Sequence, residues 1–155
     1  MARLSEMSES EQKHHLDKIG DFPDFGATPW AEGAALARRR VAIVTTAGLH
    51  LRGDRPFDSG AADYRVIPGD VPAADLVMSH VSVNFDRTGF QEDINVVFPL
   101  DRLRELAAEG VVGGVADIHY SFMGATQMRA LEAKARELAG LLKKDRVDAV
   151  LLSPV

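Results

Sequence analysis

VAIVTTAG, residues 41–48, is a run of β-branched and small apolar residues closed by a glycine. A strand with one wet face alternates apolar and polar residues; this run does not, so it reads as a strand covered on both faces. Strands of that kind sit in sheets with helices packed above and below, and the rest of the chain should supply those helices. VDAVLLSPV (147–155) repeats the buried-strand signature, YRVI (64–67) and DLVMSHV (75–81) are two further candidates, and Ile94–Phe98 is apolar without a clear period. Between them lie amphipathic stretches. Pro99–Glu109 puts Leu100, Leu103 and Leu106 on one side, with Gly110 as its stop. Thr126–Lys144 places Met128, Leu131, Ala135, Leu138 and Leu142 along one stripe and ends in Lys143-Lys144, which suits a helix C-terminus. Thr28 and Pro29 read as the N-cap and first residue of another helix running to Arg40, which puts Arg38-Arg39-Arg40 at its end. The expected fold is α/β, a parallel or mixed sheet flanked by helices in three layers (Rossmann-like), incomplete at the C-terminal side. Residues 1–26 read as an N-terminal helical extension, with Ser8 and Glu11 as a capping box for a helix through Lys18. Residues 27–155 are the α/β domain.

Composition narrows the class. The chain has 155 residues, is 46% hydrophobic and 26% charged, and carries a formal charge of −5, values of an ordinary globular protein long enough for its own core. The acidic balance gives no basic footprint for nucleic acid, and no apolar run approaches a membrane span. The polar, acidic N-terminus lacks the features of a secretion signal, so a cytoplasmic location is expected. With zero cysteines there is no disulfide, thiolate metal site or cysteine nucleophile in these residues.

Five histidines are the other readable feature. His14 and His15 fall on the polar N-terminal helix and read as solvated. His50 follows the 41–46 strand, His80 follows Leu76–Met78, and His119 follows Val115–Ile118. Three imidazoles near the ends of three apolar segments could converge at one sheet edge as general acid/base or binding groups, or each could be satisfied separately by backbone. Thr45 and Thr46 would line the floor of such a site. The loop VNFDRTGFQEDIN (83–95) could add Arg87, Asp93 and Asn95 as contacts to a polar substrate; its plain alternative is a solvated connection with an Asp86–Arg87 turn. No HExxH or other local ligand spacing is present, so no metal is assigned. Glycine-rich phosphate loops and the GxSxG elbow are also missing.

Several of these segments together resemble a known family. TTAGLH (45–50), YRVIPGD (64–70), DLVMSHVSVNFDRTG (75–89), DINVVFPLDRLRELAAEGVVG (93–113) and IHYSFMG (118–124) look like the selenoprotein B family of the glycine/sarcosine/betaine and D-proline reductases, over about residues 40–155. The resemblance implies an oxidoreductase subunit whose selenocysteine, or cysteine in variants, attacks the α-carbon of an amino-acid-type substrate. It also implies a partner subunit whose pyruvoyl group activates the substrate as an imine, and a thioredoxin-like dithiol as reductant. A selenol is ionised at neutral pH and needs no base to be nucleophilic, which extends the low-pKa thiolate rule.

In that family the redox residue comes directly after a strand resembling VDAVLLSPV. The expectation is therefore a selenocysteine just beyond Val155, a chain read as stopping at an in-frame UGA, and no reductase activity from residues 1–155 alone. A natural short paralogue acting as a binding scaffold is the alternative, and a His-site metal-dependent hydrolase is the second. A homo-oligomer is compatible with all three.

Overall fold

The computed structural model describes residues 3–20, 22, 24, 26, 31–82 and 87–155. The chain divides into two units, Met1–Trp30 and Ala31–Val155. In the first, helix α1 spans Glu9–Gly20. Its start is capped as the sequence indicates: the Ser8 backbone N–H donates to the Glu11 carboxylate at 3.0 Å and the Ser8 hydroxyl to the same group at 2.6 Å.

The second unit is built on β1, Arg40–Thr45. Val41, Ala42, Ile43, Val44 and Thr45 are all buried, so the two-faced reading of 41–46 holds. The chain continues through β2 (Leu49–Leu51), β3 (Arg65–Pro68), β4 (Leu76–Met78), α2 (Thr88–Glu92), α3 (Leu100–Ala108), β5 (Gly114–Val115), β6 (Ile118–Ser121), α4 (Met128–Lys144) and β7 (Ala149–Ser153). The main sheet is mixed. β5, β6 and β7 run parallel to β1, and β3 is antiparallel to β6. β2 and β4 form a separate antiparallel pair in which His50 lies opposite Val77.

Helices cover both faces. On one, Val41, Ile43 and Ile67 pack with Leu100 and Leu103 of α3 and with Phe98. On the other, Val44, Tyr120 and Phe122 pack with Leu138 of α4, while Leu131 and Leu142 are partly buried against them. The stripe predicted for α4 thus faces the sheet in its middle and C-terminal turns; Met128 and Ala135 stay exposed. Gly110 ends α3 at φ 74°, with the Val111 N–H donating back to Leu106 O, as its place after the leucine stripe indicates.

Two expectations need correction. A helix over 28–40 is not found. Thr28 and Pro29 lie outside the described residues, 31–35 are irregular, and Leu36–Arg38 is one 3-10 turn. The reason is competition for backbone: the Leu36 and Arg39 carbonyls accept from Gly113 and Gly114, so they are spent on tertiary bonds. The triple-arginine run is accordingly not a helix end. Arg40 opens β1 and donates to the Asp117 and Asp145 carboxylates and to the Val115 and Asp145 carbonyls. Ile94–Val96, which shows no clear period in the sequence, is a 3-10 turn. Second, β7 is not buried on both faces: Val150, Leu151 and Leu152 are 40%, 40% and 69% exposed. It pairs β1 on one side only and forms the sheet edge. Among the described residues no helix is long and apolar enough to cross a membrane.

Candidate functional site

Parallel strands present their carboxyl ends to one edge, the usual place for a site in an α/β sheet. Here the end of β1 is tied to its neighbours by side chains as well as by the ladder. Thr45 is fully buried; its hydroxyl donates to Ser153 O at 3.2 Å and accepts from Ala47 N at 3.1 Å. Thr46 reaches across to residue 155: its Oγ1 accepts from Val155 N at 2.8 Å and lies 3.3 Å from Val155 O. Gly124 N donates to Thr46 O at 2.9 Å. A Cβ at Gly124 would stand 2.5 Å from Val155 O and 2.9 Å from Thr46 O, so only glycine fits without a shift.

The chain then turns at Gly48, φ 65°, where a Cβ would come within 3.0 Å of His80 N. Ser79 N donates to Gly48 O. His80 therefore joins the end of β1 through its backbone, two residues past Thr46. Its ring accepts the Ser82 N–H on Nδ1 at 3.2 Å, which places its proton on Nε2 in the neutral form. Burial, then the Arg87 charge, hold its pKa below the ordinary value, so the neutral form dominates near pH 7. Arg87 donates to the carbonyls of His80 (2.6 Å) and Ser82 (2.8 Å) and so braces this turn. Replacing Arg87 by glutamine is expected to raise the His80 titration midpoint, read by NMR of the ring protons; an unchanged midpoint would show that the guanidinium exerts no field there.

His50 is 3% exposed on β2 and carries the opposite tautomer. Its Nδ1–H donates to Leu51 O at 2.7 Å, and its Nε2 is buried with no hydrogen-bond partner among the described residues.

His119 is placed differently. Four residues along β1, from Val41 to Val44, are matched by six along β5–β6, from Val115 to Tyr120. The excess forms a bulge, and the His119 ring fills it: Nδ1 accepts the Ile43 N–H at 2.9 Å. The ring is fully buried and stands edge-on to Phe98 at 5.6 Å. Here it serves as a partner for the β1 backbone in mid-sheet. Asp93 is exposed and caps the 94–96 turn, accepting from the Asn95 backbone N–H and side-chain amide at 2.9 Å each. Those bonds hold its carboxyl below its usual pKa. The structure thus gathers Thr45, Thr46, residue 155 and His80 around the end of β1, with Arg87 bracing that turn. His119 and Asp93 are engaged elsewhere.

Among the described residues no group of three or more His, Cys, Asp or Glu is arranged to hold a metal. Two clefts, of about 290 and 510 Å³, share Asp70 and Arg104, and neither is lined by a candidate residue.

Residues 22–155 match the family described as glycine/sarcosine/betaine reductase selenoprotein B (GRDB). The chain belongs to this family. It is 41% identical over 116 residues to D-proline reductase subunit gamma of Acetoanaerobium sticklandii, covering 73% of this chain and 47% of that one. It is 36% identical to the glycine reductase complex component B subunit gamma of Symbiobacterium thermophilum, covering 76% of this chain and 29% of that relative. With the sarcosine reductase complex component B subunit beta of Peptoclostridium acidaminophilum it shares 34% identity, over 76% of this chain and 28% of the other. The chain spans about half the length of the first of these and under a third of the other two. No solved structure matches it.

Around the end of β1 this selenoprotein B family member has structural features that sequence reading missed. Gly124 is one; a glycine directly after the apolar run IHYSFM is the signal that could have found it. Ser121 and Ser153 are the others. Ser121 Oγ accepts from Leu49 N, and Ser153 Oγ donates to Val97 O, so both hydroxyls are tertiary ties that no local pattern announces.

Proposed function

We propose that this protein acts as the selenoprotein-type subunit of a reductase that cleaves an amino-acid-type substrate, with D-proline the first candidate. The observation that carries the reading is the 41% identity to D-proline reductase subunit gamma over 73% of the chain. In this reading the redox residue, a selenocysteine or cysteine, follows Val155, in sequence of the kind the longer relatives possess. The cradle at Gly124, where the residue-155 backbone lies too close to admit a Cβ, supports that placement. The same reading takes a pyruvoyl-bearing subunit and a thioredoxin-like dithiol as partners, in the cytoplasm; the relatives are named as subunits and complex components.

The reaction balances simply. The carbon–nitrogen bond at the α-carbon breaks and a carbon–hydrogen bond replaces it: nitrogen leaves with the bonding pair and takes one proton, the dithiol passes two electrons through the redox residue to the carbon and becomes a disulfide, and the second proton ends on the carbon. A nucleophile ionised at neutral pH is what the redox residue supplies. This chain's own residues prepare the edge. His80, held neutral, offers an Nε2–H as charge develops, and His50 an acceptor at Nε2. Thr45 and Thr46 form the floor, Arg87 and Asp93 stiffen the polar loop, and His119 supports β1 from within the sheet.

The test is an assay of the full-length gene product with its partner subunit and dithiothreitol, supplied in turn with D-proline, glycine, sarcosine and betaine. Dithiol-dependent consumption of one of them, abolished when the residue after Val155 is replaced by serine, is expected. A complex that assembles and consumes none would make the protein a scaffold.

A further inference from the structure

We propose that Thr46 is a positioning residue, setting the place of the residue that follows 155 rather than touching substrate; the inference rests on the reductase reading above. The geometry is specific. The last ladder bond between β1 and β7 is Thr46 N to Ser153 O at 3.0 Å, after which β1 leaves the sheet through Ala47 and Gly48. Residue 155 would then lose its partner strand, and the Thr46 hydroxyl takes the strand's place. It accepts from Val155 N at 2.8 Å and lies within donating distance, 3.3 Å, of Val155 O. One hydroxyl thus makes the accept-and-donate pair that an opposing backbone would make.

Three elements meet at this point. Thr46 O is held by Gly124 N, and Gly124 leaves the space that the residue-155 carbonyl occupies. Residue 155 is therefore fixed in register while β1 turns away beneath it, and the side chain that follows starts from a defined backbone. A β-branched side chain has few χ1 states, so threonine delivers the hydroxyl at small entropic cost. Both hydrogen-bonding capacities of the hydroxyl are already used on residue 155, which leaves little for a substrate.

The experiment uses the full-length reductase complex with whichever of D-proline, glycine, sarcosine or betaine it consumes. It compares wild type, Thr46→Ser and Thr46→Val by kcat, KM and thermal midpoint. Thr46→Val is expected to lower kcat at least about tenfold with KM within about twofold, and Thr46→Ser to stay near wild type in both. A rise in KM with kcat held would place Thr46 on the substrate and overturn the inference; unchanged kinetics in Thr46→Val would overturn it too. If Thr46→Val does not fold, Gly124→Ala is the second variant, since it crowds the same carbonyl, at 2.5 Å, while leaving the threonine itself in place. It should show the same loss confined to kcat, and normal kinetics there would overturn the inference. A wild-type complex that consumes none of the four would instead overturn the reductase reading itself.

Discussion

Replacing His119 by alanine is expected to destabilise the protein by about 3–4 kcal/mol, read as a lower denaturation midpoint in urea. Two losses add. The buried Ile43 N–H loses its bond to His119 Nδ1 at 2.9 Å, and a fully buried ring against Phe98 leaves a cavity. A change under about 1 kcal/mol would mean that the bulge closes without the imidazole and that β6 simply re-registers on β1.

The same ring gives stability a pH dependence of fixed sign. Burial, then the Arg104 charge, push its pKa from 6.5 down to about 4. The folded state holds the neutral ring, so below about pH 6.5 the unfolded chain takes up the proton first. This contribution to stability is complete above that pH, declines as pH falls, and stops declining near pH 4, where the folded ring protonates as well. At about 1.4 kcal/mol per pH unit the whole change is roughly 3 kcal/mol. His119→Ala should lose that part of the slope between pH 6.5 and 4 while keeping whatever the carboxylates contribute.

Gly124→Ala is expected to lower the reductase kcat by about a hundredfold, the scale of a displacement near 1 Å in an active site. The added methyl would stand 2.5 Å from Val155 O and 2.9 Å from Thr46 O, closer than real Cβ contacts, so the backbone of residue 155 or the end of β1 must move. Neither neighbour is the tip of a flexible side chain, so no rotamer change relieves the contact. Gly110→Ala is the control: that site has open space around its Cβ and pays only for its φ of 74° at the end of α3. It should lose stability and keep kcat. Equal kcat in Gly124→Ala and wild type would show that the exact position of residue 155 does not matter to the chemistry.

Much of the architecture was readable along the chain because it depends on local periodicity. VAIVTTAG made β1 a two-faced strand, the leucine stripes made α3 and α4, Gly110 made the stop, and Ser8 with Glu11 made the cap of α1. Each is a short-range preference that tertiary packing had no reason to overrule. Where the expectation failed, a distant partner outbid a local one. Residues 31–39 carry helix-compatible residues, yet Leu36 and Arg39 give their carbonyls to Gly113 and Gly114.

The candidate site divides the same way. Thr45, Thr46, His50 and His80 could be named as candidates by type and by their place after apolar runs, and the family membership follows from the residues alone. Their tautomers could not, because each ring's proton is placed by one backbone group: Leu51 O for His50, Ser82 N for His80, Ile43 N for His119. Nor could the sequence separate His119 from the other two, since all three follow similar apolar segments. Only the register of β5 and β6 against β1, four residues facing six, turns that histidine into a piece of the sheet. Local periodicity sets which elements form; long-range hydrogen bonds, closed between residues about 75 or 110 positions apart, decide which side chains remain available for chemistry.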